Sequence, residues 1–234
     1  DTNQNVAEGA GTLQGAQFTV KYYVGNYSSD PAAQGVAPTR KWVFETDADG
    51  FCYCSSAYLV SGDAFYTNSS GIPSLPLGTV TIQETKAPEG YLLNPEVYVR
   101  QILANGNAEN VDTYNYPIIK ESSLKLDLVK KQEGTEIVIP GVVFEHTTPN
   151  GVVSTYTTDN AGTLTIKGLE HGTHTLREVS AIDGYIVNSN VITFEVSSNN
   201  SIKLLSTADK SKGNIDFTVT AAGNISIVVE NKLA

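Results

Sequence analysis

Residues 78–91 read G-T-V-T-I-Q-E-T-K-A-P-E-G-Y, and the pattern returns once, at 172–185, as G-T-H-T-L-R-E-V-S-A-I-D-G-Y. Each copy opens on Gly-Thr, alternates, places one Glu at the end of the alternation and closes on a Gly-Tyr turn. Side chains two apart share a face of a strand. Glu84 is therefore in phase with Val80 and Ile82, and Glu178 with His174 and Leu176. Each copy sets a carboxylate on the face that should be apolar, which is unfavourable unless the group has a partner. The repeat predicts one module present twice, each copy with a buried acid that requires a partner.

Other segments recur around this one. L-Q-G-A-Q-F at 13–18 corresponds to I-P-G-V-V-F at 139–144, and D-A-D-G at 47–50 to D-N-A-G at 159–162. The offsets are unequal: 126 residues from Gly15 to Gly141, 94 from Glu84 to Glu178 and 116 from Asn115 to Asn231. The first copy thus carries a longer excursion before Gly78, the mark of a duplicated module rather than a solenoid. Further strands are expected at 13–24, 40–46, one or two within 51–66, then 97–103, 111–115, 124–131, 191–196, 202–205, 215–219 and 225–231. Short strands separated by turn residues predict an all-β chain of two tandem Ig-like, prealbumin-like β-sandwiches. The domains are placed at 1–119 and 120–234, with a short junction around Pro117.

The length of 234 residues fits two domains. Net charge is −10. The first half holds 12 acids against 5 bases, or −7, and the second 13 against 10, or −3. There is no basic stripe, which argues against nucleic acid as a partner. No apolar run reaches the length of a membrane span, so no membrane insertion is expected. With zero Met, the chain reads as a mature or excised piece of something longer. The two cysteines, Cys52 and Cys54, sit two apart on an expected strand, a poor geometry for a disulfide. They read as small half-buried residues.

The second half also aligns a Lys and an Asn with apolar faces. Lys130 follows Leu124, Leu126 and Leu128 in phase, and Asn231 follows Ile225, Ile227 and Val229. If the first and last strands pair, these two residues meet in the core, with Glu178 between them in sequence. Desolvation disfavours both charges, so Lys130 can act as a neutral amine, a nucleophile. A protonated Glu178 can donate to the carboxamide oxygen of Asn231 and polarise its carbon. Attack with loss of ammonia would leave an amide cross-link, assisted by the held geometry.

These residues, with E-T-K-A-P-E-G-Y and N-Y-P in the first copy and V-K-K, R-E-V-S-A-I-D-G-Y and V-E-N-K in the second, resemble the Cna-B (prealbumin-like) domains of Gram-positive surface proteins and sortase-assembled pilins. The resemblance implies a Lys130–Asn231 isopeptide bond with Glu178 as catalyst, and Glu84 and Asn115 as the equivalents in the first copy. Lys131 is the alternative nucleophile, but its phase points it outward. The first copy departs from the pattern: Lys21 follows the Gly-Ala motif instead of preceding it and should face solvent. The matching Lys would precede Asp1. Three readings follow: a processing boundary removed the first strand, the domain lives without a bond, or a strand from another chain supplies the Lys in trans.

The resemblance implies an extracellular, cell-wall or cell-surface location and neighbouring domains or subunits of a surface fibre as partners. The leading expectation is a structural stalk or pilin-type module. The alternative is an adhesin that binds a host ligand through the 25–76 excursion, with Tyr23, Tyr27, Trp42, Tyr53, Tyr58 and Tyr66 in or beside it. No enzyme acting on an external substrate is expected, and no cofactor. His171 and His174 lie three apart and so face opposite ways on a strand, and D-A-D-G at 47–50 is a common turn; no metal site is expected at either.

Overall fold

A computed structural model describes residues 6–104 and 117–234 of the chain. The described residues form strands β1 (Gln17–Tyr23), β2 (Arg40–Glu45), β3 (Leu59–Gly62), β4 (Gly78–Lys86), β5 (Tyr91–Leu92), β6 (Val97–Ile102), β7 (Ser122–Ser123) and β8 (Lys125–Gln132). They continue with β9 (Val143–Thr147), β10 (Val153–Thr157), β11 (Thr163–Lys167), β12 (Gly172–Ser180), β13 (Val191–Val196), β14 (Ile202–Leu204), β15 (Ile215–Val219) and β16 (Ile225–Asn231). The only helical piece among them is a 3-10 turn at Pro31–Gln34. The all-β expectation holds. The expected strand at 111–115, and Asn115 with it, lie outside the described residues.

The chain divides into two compact units. The first includes Leu13–Pro88 and Leu93–Ser122; the second gathers Ala7–Thr12, Glu89–Leu92 and Ser123–Ala234.

In the first unit one sheet runs in the order β3-β2-β1-β4-β6. Pairing sets Phe18 opposite Phe44 and Glu84, and Val20 opposite Trp42 and Ile82. One face therefore carries Phe18, Val20, Tyr22, Trp42, Phe44, Val80 and Ile82. Phe65, Tyr66, Tyr58 and Leu75, from the excursion between β2 and β4, pack against it. The other face buries Thr19, Thr79, Thr81 and Tyr23. The loop after β1 is tied to this face: Thr79 Oγ1 accepts from Tyr27 N–H and donates to the Gly25 carbonyl.

Within residues 51–66 only β3 is a strand. The Asp47 carboxylate accepts the N–H groups of Asp49 and Phe51, and a turn at Ser55–Tyr58 reverses the chain. The hydrogen-bonding edge of β2 is taken by β3. Cys52 and Cys54 are left in an irregular segment as free thiols, not on a strand. Alternation in F-C-Y-C produces no strand where no ladder partner is available.

The second unit is a sandwich. One sheet runs β10-β9-β12-β13-β14 and the other β11-β8-β16-β15. Strands β9, β10 and β11, read from the sequence only as motifs and turns, complete the two sheets. Both inner faces feed one core, with Leu124, Leu126, Leu128, Phe144, Leu176, Phe194, Ile225 and Ile227 nearly or fully inaccessible. Each such side chain contributes about 1.5–3 kcal/mol of transfer free energy. The segment Ala7–Thr12 joins this unit through a Glu8–Lys167 ion pair at 2.8 Å and a bond from Glu8 N–H to the Tyr91 hydroxyl. The approach needs glycine twice. A Cβ on Gly9 would sit 1.8 Å from the Lys167 carbonyl oxygen, and one on Gly168 would sit 2.0 Å from that of Glu8.

Candidate functional site

The pairing of β8 with β16 is parallel and sets Leu128 opposite Ile227, Lys130 opposite Val229 and Gln132 opposite Asn231. Leu124, Leu126, Leu128 and Lys130 are all buried on one face, as their phase predicts. Lys130 is 0% exposed and Asn231 1%. Glu178 comes from the other sheet, opposite Phe144, at an irregularity of β12 between Glu178 and Ser180.

The three side chains close a triangle between the sheets. Lys130 Nζ donates to Asn231 Oδ1 at 2.5 Å and lies 3.0 Å from Glu178 Oε2. Asn231 Nδ2 donates to Glu178 Oε1 at 2.6 Å. Glu178 Oε2 has no well-directed hydrogen bond to a described residue, so its contact with Nζ is ionic rather than directional. Burial lowers the Lys130 ammonium to about 8, against the opposing pull of Glu178 and, less strongly, Glu230. The sequence suggested that Glu178 would meet the carboxamide oxygen. In the structure it meets the nitrogen, because the Lys130 cation takes the oxygen. Lys131 turns outward to Glu136.

Glu84 of the first unit occupies the matching position, opposite Phe18 as Glu178 is opposite Phe144. It is 2% exposed. Its Oε2 accepts from Asn94 N–H at 2.6 Å, and Oε1 has no hydrogen-bond partner among the described residues. No ion pair among the described residues includes it. Its neighbour is a second carboxyl, Glu121. Burial, opposed by the Asn94 N–H, raises Glu84 to about 7. Burial and the charge of Glu84 raise Glu121 to about 8. Lys21 pairs with Thr81 and Lys41, on the face opposite Glu84. Nothing in the sequence marked Glu121; it stands in what read as a plain junction.

The remaining candidates separate. His174 is buried in the core beside His146, a residue the sequence did not single out. His171 bonds to Asn200 instead. Asp47 is engaged by its own turn and by the Tyr58 hydroxyl. Among the described residues no group of three or more His, Cys, Asp and Glu could hold a metal, and no helix is long and apolar enough to cross a membrane. Of the six aromatic residues flagged for adhesion, Tyr23 and Trp42 are fully buried. Tyr27, Tyr58 and Tyr66 are half-buried, and Tyr53 is exposed, its ring near-parallel to that of Phe51.

Two β-units in tandem, each with a buried Glu at the end of a central strand, define a duplicated prealbumin-like protein. The profile of the SpaA prealbumin-like fold domain matches residues 4–117 and again 124–211. The chain belongs to that family. Among solved structures it is similar to the Bacillus anthracis TIE protein, with 20% identity and a TM-score of 0.42 over 96% of this chain. It spans 32% of that protein's length. It is also similar to the C-terminal fragment of the pilus adhesin SpaC from Lactobacillus rhamnosus GG, with 19% identity, 94% of this chain and 89% of that one covered, and a TM-score of 0.42. The shaft pilin SpaA of the same organism gives 16% identity, 94% and 88% coverage, and a TM-score of 0.32. No curated protein matches the chain.

Proposed function

We propose that this chain is a structural module of a pilus- or stalk-type protein on a bacterial cell surface, and that its second unit is closed by a self-made isopeptide bond between Lys130 and Asn231, with Glu178 as catalyst. The observation that carries this reading is the closed triangle of Lys130, Asn231 and Glu178, buried between the two sheets. Membership of the SpaA family and the pilus proteins among its structural relatives support the setting. The protein acts on no external substrate in this reading.

The chemistry follows the contacts. The Lys130 ammonium passes a proton to Glu178 Oε2, leaving a neutral amine. Nζ attacks Cγ of Asn231 to form the new C–N bond. Glu178, as the acid, returns the proton to Nδ2, which it already contacts through Oε1, and the C–Nδ2 bond breaks with loss of ammonia. The new amide nitrogen gives up its extra proton to Glu178 or to the departing ammonia. Prior placement of all three groups replaces a bimolecular encounter.

Intact mass of the folded, reduced chain tests this. A deficit of one ammonia, restored in Lys130→Ala, is expected. A full-length mass without deficit would sink the cross-link.

A second reading concerns the first unit, where Glu84 Oε1 has no hydrogen-bond partner among the described residues and no lysine among them reaches Glu84, which favours completion by a Lys-bearing strand, supplied in trans by another chain, with Asn115 as acceptor. A lysine-containing strand peptide should then form an adduct that Glu84→Ala abolishes; no adduct would leave the first unit without this activity. A host ligand would meet the exposed Phe51 and Tyr53 first, since Tyr23 and Trp42 are buried and Tyr27, Tyr58 and Tyr66 half-buried.

A further inference from the structure

Strands β9 and β12 set two histidines against each other in the core of the second unit. His146 is 3% exposed and His174 0%. Their rings lie near-parallel with centroids 5.2 Å apart. Phe194 of β13 stacks on His174 at 5.0 Å, and Tyr156 of β10 packs edge-on against His146.

Hydrogen bonding fixes the tautomers. His174 Nε2 lies 2.8 Å from the Glu170 carbonyl oxygen, which can only accept, so that nitrogen carries its hydrogen. His174 Nδ1 is then a lone pair. His146 Nε2, 3.0 Å away, must donate to it. The neutral pair keeps one free basic position, Nδ1 of His146. A proton added there leaves both hydrogen bonds intact but puts a cation into the apolar core.

Little surrounds the pair to balance such a charge. Glu170 acts on His174 alone, and its carboxylate accepts from Asn150 Nδ2 at 3.2 Å. Glu145 of β9 and Arg177 of β12 pair with each other at 2.7 Å and are partly solvent-exposed. Tyr156 is the titratable neighbour on β10. The facing sheet brings leucines, isoleucines and Phe217 to this core, with Lys130 committed to Asn231 and Glu178.

We infer that the His146–His174 pair is an acid-sensing element of the second unit, whose protonation loosens the β10-β9-β12-β13-β14 sheet ahead of the β8–β16 pair. Burial holds both imidazoles below their ordinary range, His146 at about 4 with His174 adding to the effect. The unfolded chain takes up the proton near pH 6.5 and the folded chain only near 4. The folded state therefore loses ground as pH falls through that window, roughly tenfold in the folding equilibrium per pH unit for one proton. This holds whether or not the Lys130–Asn231 bond forms.

His146→Gln in the full chain tests it, because the amide keeps an N–H donor for His174 Nδ1 and has no basic nitrogen. Amide exchange, corrected for intrinsic rates, should show β9 and β12 losing protection between about pH 7 and 5 while β8 and β16 keep theirs. In His146→Gln the loss in β9 and β12 should be strongly reduced. An unchanged pH response in the variant overturns the inference. Ring-nitrogen NMR of the unsubstituted chain decides independently of the variant's folding. A His146 that stays neutral to about pH 5 supports the inference, and one that titrates near its ordinary 6.5 overturns it.

Discussion

At the scale of single residues, the trio separates an amine, an amide and a carboxyl that only the fold brings together. Lys130 and Asn231 were legible because a period of two carries each in phase with three apolar neighbours, and a lysine at the end of such a stripe has no bland explanation. Their contact required the parallel pairing of β8 and β16, which no local pattern encodes. Glu121 and His146 were not legible for the same reason: each matters only through a residue distant in sequence. Glu178→Gln preserves size and a hydrogen bond to Asn231 while removing the proton carrier. It should therefore leave the second unit folded and the ammonia unreleased. The bond would close a loop of 101 residues, and a constraint of that span stabilises by about 4–5 kcal/mol in the loop-entropy model. The variant should unfold at markedly lower denaturant than the parent, by a comparable free energy. Equal midpoints, with mass confirming the bond in one and not in the other, would show that the bond contributes no stability.

At the scale of elements, alternation identified strands well where a full ladder buries one face, as in β4, β8, β12 and β16. It failed in two directions. Residues 51–58 alternate but are turned aside by the Asp47 and Ser55 turns, since a strand needs a partner edge as well as a pattern. Strands β9, β10 and β11 were hidden by their brevity and their many Thr and Ser residues. The excursion of the first unit, the alternative reading's candidate binding surface, supplies cover for its own sheet. Trp42 stacks with Phe65 at 6.1 Å, and its indole N–H donates to the Asp63 carbonyl at 2.7 Å. Trp42→Ala should therefore cost about 3–5 kcal/mol. Chemical denaturation followed by far-UV dichroism checks this, and a change below about 1 kcal/mol would show that the excursion packs loosely.

At the scale of the whole molecule, the two units carry opposite proton linkages. In the first, burial raises both Glu84 and Glu121, to about 7 and about 8. A raised carboxyl binds its proton in the folded state where the unfolded chain has already released it. The stability this contributes is fully present below the unfolded value of about 4.5 and is lost as pH rises through about 7 to 8. The second unit has buried imidazoles lowered by desolvation, so its linkage runs the other way and weakens it as pH falls below about 6.5. Acid should therefore favour the first unit and disfavour the second. The chain offers a convenient probe, since its single tryptophan, Trp42, lies in the core of the first unit. Thermal unfolding followed by tryptophan fluorescence should show a midpoint that falls from about pH 5 to 8. Glu84→Gln removes one carboxyl and relieves the repulsion on Glu121, and should flatten that slope. A fluorescence midpoint that stays level or rises over the same range in the parent would mean that burial does not hold the two carboxyls above their ordinary range. The pairing of Glu84 with Glu121 would then fail as the account of that buried site, even if the histidine linkage of the second unit held.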